Sequence, residues 1–200
     1  MQKLCAEAEK LFATKGFYET SISEICSAAH TAVGTFYIYF DSKTAIYRYL
    51  VENYRHEIKR LMATSIVNCN TRLEKEREGI KAFVLYAKQR PHIYNIIWGS
   101  LSVEKELFEN YYISFAKSYY NSILRDIDEI DVPDVMTLAY SLMGTTNFVS
   151  LRAILEDMDE AQVNEMIDNH LMPILEKGLY KKSNFYLKKK NLVNKYIRLR

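Results

Sequence analysis

The 200-residue chain is poor in residues that break helices or that build covalent and metal-bound scaffolds. It has only six glycines and three prolines, and apolar residues recur at three- and four-residue spacing almost throughout, which is typical of an all-α protein. Its cysteines, Cys5, Cys26 and Cys69, are odd in number and belong to no paired Cys or His motif. We therefore expect reduced, mostly buried thiols, and neither a disulfide framework nor a zinc site.

Long apolar runs and catalytic signatures are also missing. No stretch approaches the roughly 20 apolar residues that cross a bilayer, and residues 1–7 lack the apolar core of a signal peptide. These absences predict a cytoplasmic protein without a membrane partner. Because the sequence shows no nucleophile–base pair, HExxH motif, paired carboxylates or cofactor fingerprint, we expect no enzyme, no metal and no cofactor.

Charge is distributed unevenly along the chain. Residues 181–200 contain eight of the 27 basic side chains and no acidic one, which leaves 19 basic against 25 acidic residues in the first 180. Nucleic-acid binding by that larger part would therefore depend on a few well-placed donors rather than on bulk charge. The basic segment interleaves cations with apolar residues, so an amphipathic helix, a nonspecific DNA contact and a disordered end all fit it.

Helix signals divide the chain into three short helices, one long helix and a group of longer helices. The first is predicted to end at Gly16, in a C-cap position, and the second to begin with a capping box over residues 21–24. The predicted helices are residues 2–15, residues 21–28, a short helix after residues 29–31, a long helix after residues 41–42, and residues 72–89, 91–100, 103–127, 132–156 and 159–178. Three short helices that lead into a long one are typical of a DNA-binding head on a stalk.

The spacing of small, aromatic and basic residues over residues 4–47 is more specific. It joins Ala8, Leu11-Phe12 and Gly16 to the capped second helix and to the run Gly34-Thr35-Phe36-Tyr37-Ile38-Tyr39-Phe40-Asp41-Ser42-Lys43. This segment resembles the DNA-binding domain of the TetR family of transcription regulators. The resemblance implies a three-helix helix-turn-helix head over residues 1–47. A long fourth helix would join it to a helical effector-binding and dimerisation domain over 48–180, followed by a basic extension over 181–200.

The resemblance also implies which residues contact DNA. The positions that match phosphate contacts are Ser21, Thr35, Tyr37 and Lys43, and the positions that match sites near bases are Ser23, Val33, Gly34 and Tyr39. Small side chains at the start of the recognition helix permit a close approach to DNA. Phe36 and Phe40, four residues apart, are expected to face the core beneath it.

Two features depart from the family pattern. The turn, usually Gly-Val-Ser in the family, reads His30-Thr31-Ala32 here. Because an alanine side chain cannot cap a helix, we expect Thr31 to cap the recognition helix one residue early, and His30 to tolerate a positive φ. The basic arm that usually precedes the first helix is reduced to Lys3.

The second half of the chain is dense in aromatic and sulfur-containing side chains. As a group, these favour a small, largely apolar or aromatic effector in a cavity between helices, although singly such residues are more often core. The candidate effector residues are Tyr86, Tyr94, Trp98, Phe108, Tyr112, Phe115, Tyr119, Tyr140 and Met143. We expect no cluster of buried cations that would mark an anionic head-group site, and no Gly-rich loop that would cradle a phosphate.

The last two long helices are the predicted dimer surface, since packing against symmetry mates would form a four-helix interface. The residues assigned to it are Leu138, Leu142, Gly144, Thr145, Phe148, Val149 and Leu151 in the first of these helices, and Val163, Met166, Ile167, Leu171, Ile174 and Leu175 in the second. The whole pattern predicts a homodimeric repressor that binds a pseudo-palindromic double-stranded operator and is released by its effector. The alternative is a helical lipid-binding protein, or an enzyme, that uses the same cavity.

Overall fold

A computed structural model describes residues 1–178, whose regular elements are all helical. The helices are α1 (Gln2–Lys15), α2 (Ile22–Ala28), α3 (Val33–Tyr39), α4 (Lys43–Ser65), α5 (Arg72–Gln89), α6 (His92–Val103), α7 (Lys105–Leu124), α8 (Val135–Leu155), α9 (Glu160–Glu165) and α10 (Met172–Lys177). A 3-10 turn at Ile127–Glu129 follows α7, and a π-helical segment at Met166–Leu171 joins α9 to α10. The predicted all-α architecture is confirmed. The basic segment 181–200, with its three interpretations, lies outside the described residues.

Helix ends follow the predicted capping signals. The Ser21 hydroxyl accepts a hydrogen bond from the Glu24 amide at 3.1 Å, and the Glu24 carboxylate accepts one from the Ser21 amide at 2.8 Å, so the predicted capping box is present. Gly16 follows α1 with φ 85°, a value that favours glycine. A second capping box, between Thr71 and Glu74, starts α5.

The turn between α2 and α3 corrects one expectation. His30 has φ 53°, the positive value expected of it. The N-cap residue of α3 is Ala32, which makes no side-chain cap, and the buried Thr31 hydroxyl has no hydrogen-bond partner among the described residues. The prediction that Thr31 caps α3 is therefore wrong, because the capping oxygen must belong to the N-cap residue itself.

A single hydrophobic core cluster runs from the head into the rest of the chain. Phe12 of α1 and Phe36 of α3 belong to it together with Tyr47 and Tyr54 of α4 and Ile96 of α6, and all five are at most 3% exposed. Tyr47 contacts the Phe12 ring with a centroid distance of 5.1 Å. Because α4 packs both on helices of the head and on α6, movement of α4 and movement of the head are mechanically linked. The domain boundary after residue 47 stays a prediction.

The C-terminal helices pack on α5 and α8 through a second cluster. Its members include Ile80, Val84, Ala153, Val163, Met166, Ile167 and Leu171. Val163, Met166, Ile167 and Leu171 are thus buried within one chain, at 7% exposure or less, so their assignment to a dimer surface is wrong. Among the other residues predicted for that surface, Leu142 is also buried, at 5% exposure, whereas Phe148 and Ile174 keep 65% and 42%.

The π-helical segment has a local cause. Pro173 has no amide hydrogen, so the carbonyl of Asn169, four residues earlier, lacks its α-helical donor. A π-type turn bonds groups five residues apart and accommodates such an interruption without ending the helix. The chain continues as α10, which ends at Gly178, a residue with φ 79°. Within residues 1–178, no helix has both the length and the apolar character that a membrane span requires.

Candidate nucleic-acid interface and ligand cavity

Helix α3 has one buried face and one exposed face. Phe36 and Phe40 are buried, at 0% and 6% exposure, with ring centroids 5.7 Å apart, which confirms their expected place in the core. On the other side, Val33 and Tyr37 are 42% and 53% exposed. A Cβ atom built on Gly34 would meet nothing within 4 Å, so the glycine leaves open space on this face and is not required by packing within the chain.

Ile38 extends this exposed face and was not among the predicted contacts. Its side chain is 75% exposed, compared with 48% for Tyr39. Ile38 lies four residues after Gly34, which places both on the same side of the helix. That spacing is the sequence signal that would have identified it. An aliphatic side chain in this position has the right chemistry to contact a thymine methyl group in a major groove.

The polar side chains predicted to contact DNA near the helix starts differ in exposure and in the hydrogen bonds that they already make. Ser23 is exposed and Thr35 is half-buried. The Ser21 hydroxyl accepts from the Glu24 amide and also donates to the Glu24 carboxylate at 3.0 Å. A phosphate contact from Ser21 would therefore replace a bond that already exists. These DNA contacts stay predictions, as do those of the α3 residues.

Lys43 is held by backbone oxygens. Its ammonium donates to the carbonyls of Phe17 and Thr20, both at 2.7 Å, and to that of Tyr18 at 3.3 Å. It also lies 4.4 Å from the centroid of the Phe17 ring. Lys43 therefore fixes the α1–α2 loop to the start of α4, and a phosphate contact would have to be shared with these carbonyls.

Other cations of the head are mostly paired with carboxylates. Lys15 binds Glu24, and this bond is the main cause that lowers the pKa of Glu24 to about 2. Lys10 binds Glu7 at 2.7 Å, and Arg48, which directly follows the head, binds Glu104, the N-cap residue of α7, at 2.9 Å. The exposed face of α3 is therefore aromatic and aliphatic rather than strongly basic, so binding to DNA would use few phosphate contacts and a correspondingly weak salt dependence.

A cavity of about 340 Å³ lies between α4, α5, α7 and α8. Most of its wall is apolar or aromatic, formed by Ile58, Met62, Ala63, Ile66, Phe83, Tyr111, Tyr112, Phe115 and Met143. Residues of α7 line it from Tyr111 as far as Arg125, just past the helix end. At 1.5 Å per residue, the cavity follows this helix for about 20 Å, a shape that fits an elongated small molecule.

The structure brings some of the predicted effector residues together and separates others. Those that line the cavity are Tyr112, Phe115, Tyr119 and Met143. Those that line a smaller adjoining pocket, which also includes Tyr112, are Tyr86, Tyr94 and Trp98. Phe108 and Tyr140 line neither, since Phe108 packs on Tyr112 with a centroid distance of 4.8 Å and Tyr140 is 47% exposed on α8.

The cavity wall also contains charged groups that sequence reasoning missed. Arg72 and Glu76 form an ion pair that is buried on α5, and the Tyr119 hydroxyl donates to the same carboxylate. Burial, followed by the charge of Glu76, raises the pKa of Tyr119 well above its ordinary value. Arg72 and Lys75 share Asp126, at 3.5 and 2.7 Å. The i,i+4 spacing of Arg72 and Glu76 is a signal for such a pair.

Four cations line this cavity in all: Lys59, Arg72, Lys75 and Arg125. Only Arg72 among them is buried, so the expectation of no cluster of buried cations is not contradicted by the described residues, but four cations around one cavity were not anticipated. They come from α4, from α5 and from the residue that follows α7, so their proximity depends on tertiary packing and not on sequence spacing. Within residues 1–178, no group of three or more His, Cys, Asp or Glu side chains is placed to hold a metal ion.

Helix α6 contacts both the head and the cavity wall. On one side, the Asn95 amide of α6 donates to the Ala13 carbonyl at 3.1 Å, and the hydroxyls of Tyr18 and Tyr47 donate to the Ser102 and Ile96 carbonyls of α6, each at 2.5 Å. On its other side, the Trp98 indole N–H donates to the Tyr112 hydroxyl at 2.9 Å. Tyr112 lines both the cavity and the smaller pocket, so α6, like α4, contacts both the cavity wall and the head.

Comparison with known proteins identifies a family match in the N-terminal part of the chain. Residues 4–50 match the family model of bacterial regulatory proteins, tetR family. An uncharacterized HTH-type transcriptional regulator, YvdT of Bacillus subtilis (strain 168), is 42% identical over 52 residues. That alignment covers 26% of this chain and 27% of YvdT, so the chain matches only about a quarter of the length of this relative.

Solved structures resemble the chain over most of its length. The fatty acid degradation regulator FadR of Bacillus halodurans superimposes with a TM-score of 0.77 at 14% identity, and the alignment covers 90% of this chain and 96% of that one. FadR of Bacillus subtilis, solved in complex with stearoyl-CoA, gives 0.71 at 18% identity over 90% and 99% of the two chains. A TetR-like regulator from Rhodococcus sp. RHA1 gives 0.72 at 15% identity over 89% and 96%. At these identities the likeness establishes the fold.

Proposed function

We propose that this chain, whose residues 4–50 match the family model of bacterial regulatory proteins, tetR family, is a homodimeric repressor of that family, released from its operator by a small, largely apolar effector. The observation that carries the DNA-binding part is the exposed face of α3. Val33, Tyr37 and Ile38 stand out from a helix whose opposite side is anchored by Phe36 and Phe40. Large side chains that the fold places at the surface, on a rigid support, are available to contact a binding partner such as DNA.

The test of this proposal uses the hydroxyl of Tyr37, which is expected to donate to a phosphate. The Tyr37→Phe variant keeps the ring packing on Phe36, whose centroid is 5.5 Å away. It is expected to bind duplex DNA from the region upstream of its own gene at least about tenfold more weakly, the usual loss for a hydrogen bond to a charged group. Binding is measured by fluorescence anisotropy with a labelled duplex.

Tyr49→Phe is the matched control, because Tyr49 is also partly exposed, at 39%, but lies on α4 outside the α3 face. We expect this variant to bind as the parent does. If Tyr37→Ala as well as Tyr37→Phe binds with the parent's affinity, the α3 face does not contact DNA and the proposed function fails.

The homodimer is proposed from an apolar stripe along α8. Tyr140 and Phe148 are 47% and 65% exposed, and Leu155 is 75% exposed. Gly144 lies midway between the first two, and a Cβ atom there would meet nothing within 4 Å. Spacings of four and seven residues align these positions on one side of the helix. A stripe of this kind is suited to pack against the same stripe of a second copy about a two-fold axis.

Release by an effector is proposed from the path between cavity and head. A ligand in the cavity would contact Tyr112, which accepts the hydrogen bond of Trp98 on α6. A change in α6 would be transmitted to the head through Tyr47, whose hydroxyl binds the Ile96 carbonyl. Effector binding would then favour a head spacing that does not fit both half-sites, about 10 base pairs apart. The FadR complex with stearoyl-CoA supports an effector with a long apolar part.

A further inference from the structure

Building on the proposed function, we propose that the effector is an amphipathic anion, a single apolar chain with one acidic group, and that it enters between α4 and α7. Its chain lies in the cavity and its acidic group binds the ammonium of Lys59. The sequence pattern favoured an apolar effector without an anionic head group, so this assignment changes the class of ligand.

The first observation is the position of the opening. Most residues of the cavity wall are buried or half-buried, but Ala63, Ser118 and Arg125 are exposed. Ala63 lies on α4, while Ser118 and Arg125 lie on α7 and just after it. The wall contributed by α5 and α8 is closed by comparison, with Glu76 and Thr146 buried at 6% and 7% exposure. The cavity therefore meets solvent along the line where α4 and α7 face each other.

The second observation is the surroundings of Lys59 beside this opening. Its ammonium donates to the Ser114 hydroxyl at 2.7 Å and to the Ser114 carbonyl at 3.3 Å, and lies 5.5 Å from the centroid of the Phe115 ring. The neighbouring cation, Arg55, donates to the same hydroxyl at 3.2 Å. Arg55 is paired with Glu52, so the one nearby carboxylate is already engaged.

The pairing of the four cavity cations separates Lys59 from the others. Arg72 and Lys75 bind the carboxylates of Glu76 and Asp126. Neither Lys59 nor Arg125 has a carboxylate oxygen within 4.0 Å among the described residues. Arg125 is exposed, but Lys59 is half-buried. Burial, with the charge of Arg55, holds the pKa of Lys59 below its ordinary value.

A half-buried cation without a counter-ion is a site that an anion stabilises, because each partner restores the charge compensation that burial removes from the other. From Lys59 the cavity continues into an apolar interior lined by Ile58, Met62 and Phe83. No further unpaired cation lies in that interior among residues 1–178. One acidic group and one apolar chain therefore match the site, whereas a neutral apolar molecule would leave Lys59 uncompensated.

The test compares two molecules that differ only in the head group, dodecanoate and 1-dodecanol. Trp98 is the single tryptophan of the chain and binds Tyr112 of the cavity wall, so its fluorescence reports binding to the intact protein. We expect dodecanoate to bind about tenfold or more tightly than the alcohol, as for a charge-assisted hydrogen bond. In Lys59→Met this preference should be lost, while 1-dodecanol binds with unchanged affinity.

Two further variants locate the acidic group. Lys117→Met removes an exposed lysine of α7 that does not line the cavity, and it should keep the full preference for dodecanoate. Arg125→Met should keep most of it. The proposal is overturned if the parent binds both molecules equally well, or if Lys59→Met retains the preference. It is also overturned if Arg125→Met alone abolishes it, since the acidic group would then lie at the far end of the opening.

A third ligand, dodecanoyl-coenzyme A, tests whether the anionic charge belongs to a free fatty acid or to the phosphates of a coenzyme A ester. A free fatty acid carries one charge at the end of its chain, as proposed, whereas an acyl-coenzyme A has a neutral thioester there and carries its charges on distant phosphates. Tighter, Lys59-dependent binding of dodecanoate supports the single acidic group, and tighter, Lys59-dependent binding of the coenzyme A ester overturns it in favour of the phosphates. Failure of this proposal is separable from failure of the proposed function. If the alcohol releases operator DNA as effectively as the acid does, the protein is a ligand-responsive regulator and the anionic head group is wrong.

Discussion

Lys43 has two possible roles, and the contacts of its side chain decide how each can be tested. The family resemblance makes it a phosphate contact, but its ammonium already binds three backbone carbonyls of the α1–α2 loop. A variant at this position would therefore change the stability of the head as well as any affinity for DNA. Tyr37, whose exposed hydroxyl makes no bond to another described residue, is the cleaner probe of DNA binding.

We expect Lys43→Met to lower the free energy of unfolding by about 1–3 kcal/mol, because partly buried carbonyls lose their donor. Urea denaturation followed by circular dichroism measures this. Lys10→Met is the control, since the Lys10 side chain is 69% exposed and pairs only with Glu7 one turn earlier, and a change within about 0.5 kcal/mol is expected there. Equal stability of the two variants would show that the carbonyl contacts of Lys43 contribute nothing.

The ion pair of Glu24 predicts how the stability of the head depends on pH. Its pKa is lowered to about 2, first by Lys15 and then by the backbone and hydroxyl of Ser21. A carboxyl whose pKa is lower in the folded than in the unfolded state stabilises the fold above its unfolded pKa, and this contribution is lost as the pH falls from about 4.5 to 2. Titration by NMR of the side-chain carboxyl should give a midpoint near 2, and Lys15→Met should move that midpoint upward. A midpoint near the ordinary value for Glu would contradict the pairing.

At the scale of elements, sequence patterns were most informative where the physical cause is local. The capping box of α2 and the stop at Gly16 depend on neighbouring residues only, and both are present as predicted. The faces of the C-terminal helices depend on tertiary packing. Periodicity identifies an apolar side but not its partner, so Met166 and Ile167 were assigned to a second copy although they contact α5 and α8 of the same chain. The cations of the cavity were missed for the same reason.

Helix α8 carries the prediction on assembly. Phe148→Glu places a charge in the centre of the apolar stripe, where a symmetric interface would bury it next to its own copy. We expect this variant to sediment as a monomer at concentrations at which the parent is a dimer. Val67→Glu introduces the same charge at a 73% exposed residue in the loop after α4, and its sedimentation should match the parent's. A dimeric Phe148→Glu variant would place the interface elsewhere.

At the scale of the whole molecule, the coupling of ligand and DNA should depend on α6 more than on the cavity itself. The shared core and the three hydrogen bonds between the head and α6 make α1, α4 and α6 a continuous packed unit. Coupling between two sites is a free energy that is separate from the affinity of either. A change in α6 can therefore reduce the response while leaving both binding events intact.

Trp98→Phe tests this separation. It removes the hydrogen bond to Tyr112 and keeps an aromatic ring against Tyr94, whose ring centroid is 5.3 Å from that of Trp98 in the parent. We expect the effector, measured by calorimetry, to bind within about threefold of the parent's affinity, because one hydrogen bond between uncharged groups contributes little. The ratio of DNA affinities without and with effector should fall toward one. An unchanged ratio would exclude the Trp98–Tyr112 contact from the transmission path.

The π-helical segment affects how this chain can be aligned with its relatives. A π-type turn uses one more residue than an α-helical turn. Each residue after Leu171 therefore takes the direction that the residue one position earlier would take if the helix were α-helical throughout. Ile174, exposed, and Leu175, packed on the second core cluster, owe their directions to this shift. In a regulator that lacks the proline, the structural counterpart of Ile174 is therefore one position earlier, and a gap-free alignment of this helix pairs residues that do not occupy the same place in space.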